Sequence, residues 1–91
     1  MIELGNPLGY IEMAKQAIRD KYKHNRNPLY SGLWDSSPHI RIGMALLIAE
    51  AYRTRLISKE MANHWLTKRL HSETDDTVRR VIGIAQTDIN S

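Results

Sequence analysis

The strongest constraint on the fold is a run of apolar residues that begins just after Ser37 and Pro38. Serine as an N-cap, followed by proline at the first helical position, is a typical helix start. From Ile40 to Leu56 the apolar residues then cover more than half of a helix circumference and leave only a narrow polar strip. A helix at the surface needs only one apolar face. The pattern therefore predicts a helix that is buried at the centre of the molecule.

Three more helices are predicted around this central one, from apolar spacing and capping residues. One runs from Pro7 to about His24, and two with a short connection occupy the C-terminal third of the chain. On the helix that follows Ser58, Arg69 is the one residue that intrudes on the apolar side. The predicted N-caps are Asn6, Ser58, and either Ser72 or Thr74.

The predicted fold class is therefore all-α, a compact bundle of about four helices with a central buried helix. With 91 residues and no long linker, residues 1–91 are expected to form a single helical domain. The segment 25–36 contains Pro28 and Gly32, which break helical periodicity, so it is predicted to be an ordered loop or an interaction segment. No strand is expected.

Composition and the chain start indicate a cytoplasmic protein. There are no cysteines, which suits a reducing compartment. The residues Met1 to Gly5 lack the basic start and apolar run of a secretory signal. The longest apolar run, Met44 to Ala49, is far shorter than the roughly 20 residues that cross a bilayer. No membrane association is therefore predicted.

Catalytic, metal-binding and cofactor-binding patterns are weak, so the chain is predicted not to be an enzyme. The four histidines are widely spread, and only Glu60 and His64 stand one helical turn apart. Asp75 and Asp76 lie at a predicted helix start, where the ionised carboxylates are favoured and act as capping charges. The scattered glycines form no loop that could hold a phosphate group. No catalytic residue, metal or cofactor is predicted.

Basic residues concentrate on the first helix and indicate a polyanionic partner. Three of them are spaced four apart and share a helix face, and aromatic residues follow nearby. Basic groups beside aromatic rings can hold phosphates while bases stack. The residues predicted to contact nucleic acid are Lys15, Arg19, Lys23 and Arg26 for phosphates, with Tyr30 or Trp34 for stacking. Alternatively, these charges stabilise a helix C-terminus, with Asp20 pairing with Lys23 or His24.

A second candidate basic patch is formed by Arg79 and Arg80. The segment 77–81 resembles the body of a recognition helix in a helix-turn-helix domain. However, the distance from Ala62 to Val78 is longer than the compact motif has, and acidic residues at the start of this helix oppose approach to phosphates. Membership of that family is therefore not inferred.

The favoured prediction is a small non-enzymatic regulatory protein that acts on nucleic acid or on a nucleic-acid-bound complex. The alternative is a protein-binding modulator or inhibitor of a larger enzyme, of the kind that mobile genetic elements encode, anchored by Tyr30, Leu33 and Trp34. Trp34 suits the core and an interface equally well. A homodimer through the central helix is a further alternative.

Overall fold

A computed structural model describes residues 6–91. The first five residues, on which part of the argument against a secretory signal rests, lie outside the described residues. Within residues 6–91 the structure contains five α-helices and no strand, which confirms the all-α prediction. The helices are α1 (Pro7–Ala17), α2 (Pro28–Gly32), α3 (Pro38–Arg53), α4 (Lys59–Ser72) and α5 (Asp76–Asn90), and a π turn (Ile18–Tyr22) continues α1.

Helix α3 is the centre of the bundle, as its apolar pattern predicts. It packs against each of the other four helices, most extensively against α1 and α5. Its buried residues extend from Ile42 to Ala51, and they join the inner faces of α4 and α5 in one apolar core. The helix starts where predicted, with Ser37 as the N-cap and Pro38 at the first position. Because α3 is buried on most sides, its apolar residues occupy more than the single face that a surface helix needs.

Helices α1 and α3 run parallel and lie unusually close together. A Cβ atom on Gly43 would overlap the carbonyl oxygen of Tyr10 and would come within 2.8 Å of the Ala14 Cβ. Further along both helices, Ile18 and Ala51 line the same groove. Residue numbers therefore increase in the same direction along the contact. Small residues at the interface let the two backbones approach each other.

The segment 25–36 is not a simple loop, because it contains the short helix α2. Pro28 occupies the first helical position, where its missing N–H is not needed. Gly32 ends the helix against the side chain of Met44, where a Cβ would come within 2.8 Å of the Met44 Cγ. The two residues that suggested a break therefore mark the two ends of one helical turn. This arrangement turns Leu33 fully into the core.

Of the predicted caps, that of α4 is confirmed and that of α5 is corrected. The Met61 N–H donates to Ser58 Oγ at 3.1 Å, as predicted for the start of α4. Helix α5, however, begins with Asp75 as its N-cap, whose Oδ1 accepts from the Val78 N–H at 2.9 Å. Ser72 cannot serve there because α4 continues through it. At the start of α1, Asn6 holds the cap position without a side-chain hydrogen bond.

Candidate functional site

Three exposed cations follow one another along α1 and its π turn. Ala14, Ile18 and Tyr22 turn towards the core at intervals of four residues. Lys15, Arg19 and Lys23 each come one position later, so they form a parallel row at the edge of the buried stripe. All three side chains are exposed, and so is Arg26 in the turn that follows. We call Lys15, Arg19 and Lys23 the basic column.

The acids of the described residues do not neutralise the basic column. Among residues 6–91, no carboxylate lies within 4.0 Å of its three cations or of Arg26. Asp20 pairs with neither Lys23 nor His24, and its carboxylate instead accepts a hydrogen bond from Gln16 Nε2 at 2.9 Å. Arg19 donates to the side-chain oxygen of Gln16, Oε1, at 2.9 Å. Both hydrogen bonds involve the neutral amide of Gln16, so neither cancels the positive charge of Arg19.

The π turn directs Lys21 and Tyr22 towards a buried acid, Asp35. The Tyr22 hydroxyl donates to Asp35 Oδ2 at 2.6 Å, Lys21 Nζ lies 3.2 Å from the same oxygen, and the Ser37 N–H donates to Oδ1 at 2.8 Å. Burial would raise the pKa of Asp35, but these hydrogen bonds outweigh burial and lower it. Burial and the adjacent carboxylate raise the pKa of Tyr22 to about 12.

A second buried acid, Glu73, ties three helices together. Arg41 from α3 donates to both carboxylate oxygens, at 2.8 and 2.9 Å, and Arg69 from α4 donates to Oε1 at 2.9 Å. The Asp75 N–H at the start of α5 donates to Oε2 at 3.1 Å. Burial would raise the pKa of Glu73, but the Arg41 hydrogen bonds and the other donors lower it below its usual range. The acid is held as a carboxylate.

Tyr30, Trp34 and Trp65 form an aromatic cluster, and the guanidinium of Arg69 lies against the Trp34 ring. The Arg69 Cζ lies 4.5 Å from the centroid of the Trp34 ring. Tyr30 stands between the two tryptophans, with ring centroids 6.2 Å from Trp34 and 5.8 Å from Trp65. Trp65 is buried, whereas Trp34 is 41% exposed. Leu33 is 0% exposed, so it belongs to the core and offers no surface to a partner.

An apolar groove lies beside the basic column. It has a volume of about 370 Å³, and α1, its π turn, α2, α3 and the α3–α4 connection contribute to its walls. Lys15 and Glu50 are the charged residues among those that line it. Leu56, at one edge, is 79% exposed. The groove is wide enough for apolar side chains of a partner.

The two arginines of the second candidate patch have different roles. Arg79 Nη1 donates to the carbonyl oxygens of Leu70 and Glu73, both at 3.0 Å. These are carbonyls at the C-terminal end of α4, so Arg79 closes that helix. Both side chains are exposed. The second basic patch stays a prediction, with Arg79 also bound to the end of α4.

The buried acids and Arg41 were not predicted as a site, although the sequence held a signal. Arg69 on an apolar helix side requires a buried acid nearby, because an unpaired charge is costly to bury. Which acid serves depends on how the helices pack, which helical periodicity does not determine. Within the described part of the chain, no group of three or more potential ligands could hold a metal ion.

Within residues 6–91, no helix has both the length and the apolar character needed to cross a bilayer. The chain matches no protein-family model, no curated protein and no solved structure.

Proposed function

We propose that this protein is a small non-enzymatic regulatory protein that binds nucleic acid, or a nucleic-acid-bound complex, through the basic column. One observation carries the proposal. Lys15, Arg19, Lys23 and Arg26 are exposed, and no carboxylate of residues 6–91 lies close enough to neutralise them. Cations that no carboxylate of the described residues neutralises remain available to bind phosphates and to release counterions.

The distribution of charge over the chain supports the same partner. Residues 1–27 contain five basic and three acidic residues, a net charge of +2. Residues 28–91 contain eight basic and seven acidic residues, a net charge of +1. The first 27 residues therefore carry most of the chain's excess positive charge. A local excess of this kind attracts a polyanion more strongly than the modest charge of the whole chain indicates.

A binding role is favoured over catalysis by the state of the two buried acids. Asp35 and Glu73 are saturated with hydrogen-bond donors, and the pKa of each is lowered. A general acid or base working near neutral pH needs a raised carboxylate pKa. Both acids instead hold helices together. The cytoplasm is part of this proposal, because a chain without cysteines suits a reducing compartment.

Salt-dependent binding to labelled oligonucleotides tests the proposal. Fluorescence anisotropy would be measured with single-stranded DNA, single-stranded RNA and duplex DNA at about 50 and 200 mM salt. If four phosphates are contacted, the affinity should fall roughly 50- to 150-fold between these concentrations. Arg19→Gln combined with Lys23→Gln should reduce the slope of log K against log salt by about 1 for each contact removed.

The matched control is Lys59→Gln combined with Lys68→Gln. It removes the same charge from exposed positions on α4, so affinity should stay near that of the unmodified protein. Equal losses in both double variants would show that net charge, rather than the basic column, determines binding. A protein that binds none of the three oligonucleotides at low salt would contradict the proposal outright.

The second candidate function is a protein-binding modulator or inhibitor of a larger enzyme. Exposed Leu56 at the edge of the apolar groove favours it, because apolar anchors dominate protein interfaces. The surface for this function is the groove, and Leu33 cannot serve as an anchor because it is buried. The basic column next to the groove would then steer approach to an acidic protein surface.

Copurification from the source cell distinguishes this candidate from the first. A protein partner held by apolar contacts should stay bound at about 500 mM salt, whereas nucleic acid should be released. Leu56→Glu should abolish retention of the protein partner, and the exposed Met61→Glu on α4 serves as the control. Equal retention by both variants would contradict a role for the groove.

A further inference from the structure

Trp34 is an aromatic residue that is both held in place and open to solvent. Trp65 and Tyr30 are buried and half-buried, while Trp34 keeps 41% of its surface exposed. Arg69 lies against its ring, and Tyr30 approaches it edge-on with ring planes 68° apart. A large apolar ring exposed in this way can bind a flat ligand without losing much conformational freedom.

The support behind Trp34 is rigid. Arg69 is anchored by Glu73, whose side chain has no solvent exposure and which also binds Arg41. Two guanidinium groups share one carboxylate, so this cluster retains one positive charge behind the indole. Arg41 also donates to the carbonyl oxygen of Asp35, the residue that follows Trp34, at 2.7 Å. The Trp34 ring and the backbone of the next residue thus both contact the same cluster.

The residues next to the end of the basic column contact Asp35, which follows Trp34 in the chain. Lys21 Nζ lies 3.2 Å from the Asp35 carboxylate, and Tyr22 donates to it at 2.6 Å. These contacts bring the end of the basic column next to the residue that follows Trp34. The contact of Tyr22 with Asp35 thus joins the chain neighbours of Lys23, at the end of the column, and of Trp34.

We propose that the nucleic acid bound by this protein is single-stranded, with one base stacked on Trp34 and its phosphates along the basic column. This inference rests on the proposed function. In a duplex the faces of the bases are already stacked, whereas in a single strand they are available to aromatic side chains. Phosphate binding alone does not distinguish single strands from duplexes, but an exposed indole does. Trp34 therefore provides the preference for a single strand.

Substitution of Trp34 tests this inference by anisotropy, with an oligothymidylate of about 15 nucleotides and a duplex of equal length as probes. Trp34→Leu keeps an apolar side chain on Arg69 but removes the aromatic face. Its affinity for the oligothymidylate should fall roughly 5- to 150-fold, while its affinity for the duplex stays unchanged. Trp34→Phe should retain most of the single-strand affinity, because it keeps an aromatic face.

Tryptophan fluorescence gives a second measurement that does not depend on the folding of the leucine variant. The oligothymidylate should quench the emission of the unmodified protein. It should not quench the Trp34→Phe variant, whose remaining tryptophan, Trp65, is buried. Circular dichroism of the same samples reports whether each variant is folded.

The outcomes separate this inference from the proposed function. If Trp34→Leu binds the oligothymidylate as tightly as the unmodified protein does, or if quenching persists in Trp34→Phe, stacking on Trp34 is overturned. Loss of binding in the Arg19→Gln and Lys23→Gln double variant would still support the basic column. If the unmodified protein binds neither probe, both proposals fail.

Discussion

Glu73 shows how one side chain can determine the arrangement of several helices. Its carboxylate accepts from Arg41 of α3, from Arg69 of α4 and from the backbone at the start of α5. Every buried side-chain polar atom of the described residues has a hydrogen-bond partner. Replacing this carboxylate therefore leaves donors from three elements without their acceptor.

We expect Glu73→Gln to destabilise the fold by about 3 kcal/mol, because it leaves two largely buried arginines without their counter-charge. The measurement is the free energy of unfolding from urea titrations at neutral pH. Glu60→Gln, at an exposed position of α4, is the control and should change stability by less than about 0.5 kcal/mol. Similar unfolding curves for the two variants would show that the Glu73 cluster adds little.

At the scale of single residues, the sequence predicted whether a side chain is apolar or charged better than whether it is buried or exposed. Leu33 and Trp34 are adjacent and both apolar, yet Leu33 is fully buried and Trp34 is 41% exposed. Their different burial depends on the direction in which α2 leaves Pro28, and a helix of five residues is too short to show periodicity. The basic column, in contrast, was predictable because its spacing of four follows from helix geometry.

Among the elements, the contact of α1 with α3 depends on the absence of a side chain at Gly43. Gly43→Ala should destabilise the protein by about 1–3 kcal/mol, because the added methyl group forces the backbone of Tyr10 away. Thermal unfolding measures the effect. Gly83→Ala is the matched control, since nothing lies within 4 Å of its new methyl group, and it should stabilise α5 by roughly 0.5–1 kcal/mol. Loss of stability in both variants would contradict close packing at Gly43.

The start of α5 provides a separate test at this scale. Asp75→Ala should cost about 1 kcal/mol, because the Val78 N–H loses its acceptor. Thr74→Ala, at the exposed position predicted from sequence as an alternative cap, should stay within about 0.5 kcal/mol of the unmodified protein. The reverse order of stability in urea would restore the cap predicted from sequence.

Long apolar patterns made α3, α4 and α5 predictable. The sequence did not show which of several neighbouring polar residues is the N-cap of α5. Ser72, Thr74 and Asp75 are all good caps in isolation. The last turn of α4 decides among them, because it includes Ser72 and leaves Glu73 to receive the Asp75 N–H. Such a choice depends on where the preceding helix ends, and helix ends are poorly determined by propensity.

For the whole molecule, the two buried acids and Tyr22 make stability depend on pH at opposite ends of the pH range. The pKa values of Asp35 and Glu73 are lowered, so their contribution is present above the unfolded-state pKa and is lost as pH falls through the folded-state pKa. The pKa of Tyr22 is raised from 10.0 to about 12. Its contribution is therefore complete below about pH 10 and is lost as pH rises towards 12.

We therefore expect the urea midpoint to fall on both sides of a neutral plateau. In Tyr22→Phe, the plateau should be lower, because a buried hydrogen bond to Asp35 is lost. The difference from the unmodified protein should shrink between about pH 10 and 12. A constant difference over that range would contradict the raised pKa of Tyr22.

The small residues that let α1 approach α3 also limit how firmly α1 is attached. The buried residues of α1 are Ala14 and Ala17, whereas those of α3 include Ile42, Met44 and Ile48. Detaching α1 removes only these two fully buried side chains of its own from the core, so its amide hydrogens should exchange with solvent sooner than those of α3. The basic column lies on this helix and its π turn. A bound polyanion should therefore slow exchange in α1 first and leave the slowest amides, those of α3, unchanged.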